Sequence, residues 1–255
     1  MAERGSEEWW RDYLTRGHRL EGVARALFPL LPSNPRCKVC RVPFKGFGHV
    51  LRLFGWSPSS KNPTICGLCS GRLPAGGAEV EVAVLVADVR GYTTLSENTP
   101  PIELAATMSR LFDLLTRELV AHDALIDKYM GDGLQALFIS GVAGPDYEAR
   151  ALQAALSAQR ALLDASQDVR TLPVGIAIHA GRAFVGNVGA QGMVDLTAMG
   201  DVVNIANRLQ GFAAGGQIVL GEDLYQRHRA LLGELRPIAL SLKGKKEPYA
   251  ARISS

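Results

Sequence analysis

The chain lacks several things. No stretch of about eighteen uninterrupted apolar residues occurs, which argues against a membrane-spanning helix. The first residues, Met1-Ala-Glu-Arg-Gly-Ser-Glu-Glu8, are polar and contain no secretory apolar core, so a cytoplasmic location is expected. Neither sign of charge dominates: the net charge of +3 is too small to indicate a nucleic-acid or membrane partner by itself. Cysteine is absent outside one short window, since all four lie between Cys37 and Cys69, and this excludes a disulfide framework across the chain. With 255 residues, 47% hydrophobic and 21% charged, the composition is that of a globular protein with one large domain and a small appendage.

Within the cysteine window the pattern is Cys37-Lys-Val-Cys40 and, about twenty-five residues on, Cys66-Gly-Leu-Cys69. Two C-x-x-C knuckles resemble a treble-clef or ribbon zinc site, because each knuckle presents two sulfurs to one point. The segment is rich in Gly and Pro and poor in core, so the metal is expected to drive its folding. One Zn²⁺ per chain is expected; an iron–sulfur cluster has the same ligand set. His49 between the knuckles reads as a surface or packing residue. Basic residues (Arg36, Lys38, Arg41, Lys45, Arg52, Lys61) interleave with Phe44, Phe47, Phe54 and Trp56. This pattern reads as a small core with a solvated basic rim, and nucleic acid is not an expected partner.

Before this window, Trp10, Tyr13, Leu14, Leu20, Val23, Ala24, Leu27, Phe28 and Leu31 recur near helical spacing, predicting an amphipathic helix from Glu7 to Leu31. Its aromatic face packs either on its own domain or on a partner as a dimer or signalling helix. The chain thus divides into an N-terminal helix (1–34), a four-cysteine module (35–75) and, after the Leu73-Pro-Ala-Gly-Gly77 linker, a main domain (79–255).

In the main domain Val80–Ala87 is a strand apolar on both faces, ending at Asp88. Thr99 and Pro100 suit the N-cap and first turn of a helix carrying Leu104, Met108, Leu111, Phe112, Leu115 and Leu119. Ala124–Met130 and Leu134–Ile139 form a hairpin around Gly131-Asp132-Gly133. A helix follows from about Tyr147 to Asp164. Leu172–Ala180 and Arg182–Val188 read as two strands joined at Gly181. A third helix runs from near Asp201 to Gly215-Gly216, and two short strands, Leu235–Leu242 and Tyr249–Ile253, close the chain. The order β-α-β-β-α-β gives an α+β fold of ferredoxin-like type. Asp88 and Asp132, both at strand ends beside glycine turns, are the oxygen donors that divalent cations and a nucleoside triphosphate require.

Several blocks together carry a family resemblance. Val86-Ala-Asp88-Val-Arg-Gly91-Tyr92-Thr93-Thr-Leu-Ser96-Glu97 resembles the opening signature of class III nucleotidyl cyclase catalytic domains. Asp127-Lys128-Tyr-Met-Gly131-Asp132-Gly133 resembles their Lys-x-x-Gly-Asp hairpin. Ile178-His179-Ala-Gly181-Arg, Gly186-Asn-Val-Gly189 and Leu196-Thr197-Ala-Met-Gly200-Asp201-Val-Val-Asn204-Ile-Ala-Asn-Arg208-Leu resemble later blocks, so the similarity covers Val80 to about Ile253.

The resemblance implies attack of a ribose 3′-hydroxyl on its own α-phosphate, with pyrophosphate leaving, a reaction governed by positioning and charge. Asp88 and Asp132, with Val89, would hold two Mg²⁺ or Mn²⁺ per site, one ion activating the hydroxyl and the other clamping the β- and γ-phosphates. The backbone of Val89, Arg90, Gly91, Tyr92 and Thr93 would wrap the phosphates. Lys128 and Thr197 would read the base, and this pairing is similar to adenylyl cyclases of the threonine type, making ATP the expected substrate. Asn204 would orient the ribose and Arg208 would neutralise the α-phosphate in the transition state. Lys243 or Lys245 would reach the β- and γ-phosphates. The family draws metal ligands from one protomer and base readers from the other, which implies a head-to-tail homodimer. Where many members carry an arginine before the His-x-Gly block, this chain reads Leu172-Pro173-Val174-Gly175-Ile176, leaving phosphate neutralisation to Lys243, Lys245 or Arg90. Two alternatives stay open: a cyclase-fold module that binds nucleotide without turnover, and a cyclase acting on GTP or a pyrimidine nucleotide.

Overall fold

A computed structural model describes residues 2–16, 35–38, 40–46, 48–59, 62–71, 73–165, 169, 172–190, 193–242 and 247–254. The expected continuation of the N-terminal helix over 17–31, and Lys243 and Lys245, lie outside the described residues.

The frame is one sheet of eight strands: β1 (Gly76–Val89), β2 (Leu125–Tyr129), β3 (Gly133–Phe138), β4 (Val174–Ala190), β5 (Met193–Met199), β6 (Ile218–Gly221), β7 (Arg236–Leu240) and β8 (Tyr249–Ile253). Their order is β2-β3-β1-β4-β6-β8-β7, with β5 paired to β4. All pairings are antiparallel except β4 with β6. The helices are α1 (Glu7–Arg16), α2 (Gly48–Arg52), α3 (Gly67–Gly71), α4 (Tyr92–Asn98), α5 (Pro101–Ala121), α6 (Ser140–Ala143), α7 (Tyr147–Leu163), α8 (Asp201–Gln210) and α9 (Glu222–Leu232). An α+β fold results, with an N-terminal helix and a cysteine cluster ahead of it.

Strand alternation sorts β1 onto two cores. Ala83, Leu85, Ala87 and Val89 face α5 and α7, meeting Met108, Leu111, Leu115, Leu119, Leu152 and Ala155. Val80, Val82, Val84 and Val86 face the other way, into a cluster that also contains Trp9, Trp10, Tyr13 and Leu14 of α1 and Cys37, Phe44 and Cys66 of the cysteine segment. Trp10 is completely buried there. The aromatic face of α1 is therefore spent on its own chain, which settles the choice left open above for the described part of that helix.

Some boundaries differ from the sequence expectation. The predicted pair of strands meeting at Gly181 is one 17-residue strand, because β1 pairs with β4 without a break from Gly76↔Asn187 to Val89↔Val174. Gly181 stays in register opposite Val82 of β1, so the strand does not turn there. Thr99 and Pro100 do not start α5 as N-cap and first residue; α5 begins at Pro101, with Pro100 before it, while extended Thr99 ends α4. The third helix stops at Gln210 rather than at Gly215.

Candidate active site and metal centre

Asp88 closes β1 on the face shared with Val84 and Val86, and its register partner on β3 is Gly133. A side chain at Gly133 would place its Cβ 2.6 Å from the Ala87 carbonyl and 2.8 Å from Asp88 Oδ1, so only glycine lets the hairpin draw this close. The Val89 amide donates to the Asp132 carbonyl at 3.1 Å, which pins the hairpin turn to the end of β1. Partial burial, followed by the adjoining negative charge and carboxyl hydrogen bond of Asp132, pushes Asp88 up to about 6; the Arg90 charge opposes this. Two carboxylates repelling one another at one point form a site that a divalent cation would relieve. The donor set, all hard oxygen, fits Mg²⁺ or Mn²⁺.

After Asp88 the chain turns through Gly91, in the left-handed region at φ +68°, into α4. The first turn of α4 leaves amides without intrahelical acceptors, next to the carboxylates. Two of the expected phosphate-wrapping groups are engaged elsewhere: the Val89 amide as above, and the Arg90 amide, which donates to the Pro173 carbonyl at 2.8 Å. The Arg90 guanidinium donates to the Gln210 carbonyl at the end of α8 and lies against Gly175, so it is tucked into the fold.

A second cluster gathers Lys128 and Thr197 from strands 69 residues apart in sequence. Lys128 Nζ donates to Thr197 Oγ1 at 3.1 Å. The expected pair of base readers therefore sits side by side within one chain. Beneath it lies Asp127, 1% exposed, which the sequence reading passed over. Its Oδ2 accepts from Thr197 Oγ1 at 2.9 Å and from Gln135 Nε2 at 2.5 Å. Asn207 of α8 donates to Gln135 Oε1 at 3.3 Å. The register between β2 and β3 slips between Ile126 and Lys128, leaving Asp127 as the extra residue of a bulge. An acidic residue directly before a lysine gives no signal of burial in sequence; only the bulge turns it inward.

Asn204 and Arg208 lie one turn apart on α8, Asn204 exposed and Arg208 half-buried. Arg182 pairs with Glu79 at 3.3 Å, and its register partner Glu81 lies seven residues, roughly 23 Å, from Asp88 along β1.

The four cysteine sulfurs lie within 4.8 Å of one another, and Cys40 Sγ and Cys66 Sγ are 3.7 Å apart. A tetrahedral zinc with Zn–S bonds of about 2.3 Å requires sulfurs about 3.8 Å apart. Amides of Cys66 and Cys69 donate to Cys37 Sγ and Cys66 Sγ at 3.3 and 3.4 Å, as thiolate ligands favour. Hydrogen bonds from Cys40 and the other two thiols hold Cys37 far below the usual thiol range. This spacing suits a single ion, whereas an iron–sulfur cluster puts several metals and sulfides between its ligands. His49 is turned away, its Nδ1 3.1 Å from the Gly46 carbonyl on the surface. Phe44 is buried in the small core and Phe54 is exposed. No helix among the described residues is long and apolar enough to cross a membrane.

A sheet with paired carboxylates at one strand end, a glycine turn feeding a helix beside them and a lysine–threonine pair across the sheet defines a nucleotide-handling domain of cyclase type. Residues 77–249 match the family model of the adenylate and guanylate cyclase catalytic domain, and the chain belongs to that family. Among relatives, Adenylate cyclase 1 of Rhizobium meliloti (strain 1021) is 37% identical over 136 residues, 51% of this chain and 20% of that protein. An adenylate cyclase of Anabaena cylindrica is 35% identical over 155 residues, 56% of this chain and 30% of that protein. The chain thus spans less than a third of the length of these relatives. Among solved structures, the guanylyl cyclase Cya2 superposes with a TM-score of 0.64 at 27% identity, covering 70% of this chain and 93% of that one. The adenylyl cyclase CyaB from P. aeruginosa also gives 0.64, at 22% identity over 69% of this chain and 95% of that one, a likeness of fold.

Proposed function

We propose that this chain is an adenylate cyclase that converts ATP to 3′,5′-cyclic AMP and pyrophosphate at sites shared between two copies arranged head to tail. The observation that carries the choice of ATP is the Lys128–Thr197 pair. A lysine ammonium only donates and so meets the unprotonated N1 of adenine. The threonine hydroxyl accepts from the 6-amino group. Guanine, with N1–H and O6 on the same edge, presents the opposite pattern.

Asp88 and Asp132, with the neighbouring Val89 carbonyl, would hold the divalent ions, which when bound activate the 3′-hydroxyl and offset triphosphate charge. The backbone from Gly91 to Thr93 offers amides to the phosphates at the mouth of the same site. From the other copy, Asn204 would orient the ribose and Arg208 would meet charge developing at the α-phosphate, where a planar guanidinium matches phosphate oxygens. Lys243 or Lys245 would contact the β- and γ-phosphates. Arg90, held against the Gln210 carbonyl, is better suited to bracing α8 than to binding phosphate. Cys37, Cys40, Cys66 and Cys69 would hold one structural Zn²⁺.

The test is direct. Purified protein with ATP and Mn²⁺ or Mg²⁺ should release cyclic AMP, and Arg208→Ala should lower kcat about a hundredfold or more with little change in ATP binding. Absence of cyclic AMP with both metals over a wide range of protein concentration would leave the nucleotide-binding module as the better reading. Preference for GTP over ATP would overturn the base assignment.

A further inference from the structure

We propose that Asp127 is a specificity-determining positioning residue: its buried carboxylate takes the hydroxyl proton of Thr197, fixing that hydroxyl as an acceptor toward substrate, and so sets preference for a 6-amino over a 6-oxo purine. The inference rests on the cyclase reading above and assigns a role to a residue that would not touch the nucleotide.

The argument is one of hydrogen-bond accounting. A threonine hydroxyl has one proton and two lone pairs, and left alone it rotates to suit either a donor or an acceptor. Such a group discriminates poorly, because it can donate to guanine O6 as readily as it accepts from the adenine amine. Here its options are taken up. Thr197 Oγ1 lies 2.9 Å from Asp127 Oδ2, an oxygen that also accepts from Gln135 Nε2, so it serves as acceptor and the Thr197 proton points inward. Lys128 Nζ lies 3.1 Å from the same oxygen and only donates, so it occupies one lone pair. What remains for substrate is one lone pair, which welcomes an amino group and repels a carbonyl oxygen.

The carboxylate is itself held in place. Gln135 Nε2 donates to the same Oδ2 at 2.5 Å, and Gln135 Oε1 accepts from Asn207 on α8 at 3.3 Å. Lys128 Nζ is 3.7 Å from Asp127 Oδ1, so its charge offsets that of the buried carboxylate. The bulge at Asp127 aims this side chain under the lysine–threonine pair instead of leaving it in register along β2. The same chain of bonds reaches α8, which carries Asn204 and Arg208, so base choice and ribose orientation share one scaffold.

The test compares ATP with GTP, both by turnover and by binding of their 3′-deoxy analogues, which cannot cyclise. Asp127→Ala removes the acceptor and should lower the ATP-to-GTP preference about five- to tenfold, the scale of one hydrogen bond changing sense. Asp127→Leu, which fills the space, should do the same, and melting curves show which variant folds. Asp127→Asn keeps an oxygen for the Thr197 proton and should hold the preference within about threefold of wild type. In a Thr197→Val background, Asp127→Ala should change the preference no further. An unchanged preference in a folded Asp127→Ala or Asp127→Leu protein would overturn the inference. So would an Asp127→Asn protein that loses preference as completely as Thr197→Val, since charge and not acceptor geometry would then decide. Because the analogues bind without reacting, a wild type that makes no cyclic product sinks the proposed reaction yet still reports on Asp127.

Discussion

Asp88 carries the sharpest consequences at the scale of single residues. Its carboxyl, normally protonated only near pH 4, is held up to about 6 by burial and by Asp132. A raised folded-state pKa in an acid means that ionisation opposes folding, so this residue costs stability as pH rises from about 4 through 6 and continues to do so above. Asp88→Asn should therefore melt higher than wild type at pH 7 in the absence of divalent metal, by the equivalent of about 1 kcal/mol once solvent screening is allowed for. The same substitution should abolish cyclase activity. In wild type the rate should fall as pH drops through about 6, and added Mn²⁺ should move that fall to lower pH, because metal and proton compete for one carboxylate. A melting point that drops in Asp88→Asn, or a flat rate from pH 7 to 5, would contradict this. The grouping of Asp88 with Asp132 and of Lys128 with Thr197 was legible in the sequence, since each residue stands in a distinctive block. The burial of Asp127 was not, because it depends on a bulge that no local pattern announces.

Among the elements, β2 stands out because the cysteine segment supports it directly. Asn62 Oδ1 accepts from the buried Ile126 amide at 2.6 Å, next to the Asp127 bulge. Lys38, beside Cys37, pairs with Asp123 at 2.5 Å in the turn that leads into β2, and Arg150 of α7 holds the same carboxylate at 3.0 Å. Asp123 takes a left-handed backbone, φ +69°. Asn62→Ala would orphan a buried amide and should cost about 1–3 kcal/mol, lowering Tm by several degrees. If the four cysteines hold zinc, removing it with a zinc-selective chelator and assaying with Mg²⁺ in excess should raise KM for ATP more than it lowers kcat, because the strand carrying Lys128 loses its brace; an effect confined to kcat would refute that link. The hairpin, α5, α7 and the terminal strands were readable from periodicity and turns. The long β4 was not, because Gly181 looked like punctuation and only its pairing with β1 shows otherwise. α4, with seven residues, carries too little periodicity to announce itself, and α9 buries only Leu224 and Tyr225.

At the scale of the whole molecule, the site is incomplete in one copy if metal ligands and Arg208 serve different nucleotides. Specific activity should then rise with protein concentration. Mixing inactive Asp88→Ala with inactive Arg208→Ala should restore about a quarter of wild-type activity, since half of randomly formed pairs would hold one intact site of two. No recovery on mixing would argue that each chain works alone. The division into helix, cysteine module and catalytic domain follows composition, and composition does not report which faces touch. The structure adds that α1, the cysteine segment and the even-numbered valines of β1 share a single core.

If the four cysteines take up an ion, that shared core would couple manufacture to supply. A freshly synthesised chain that found no ion for its sulfurs would leave Val80, Val82 and Val84 under a loosened cover, an invitation to aggregation and proteolysis. Second-messenger output would in that case follow the availability of a trace element while the polypeptide is being made, well before any nucleotide arrives.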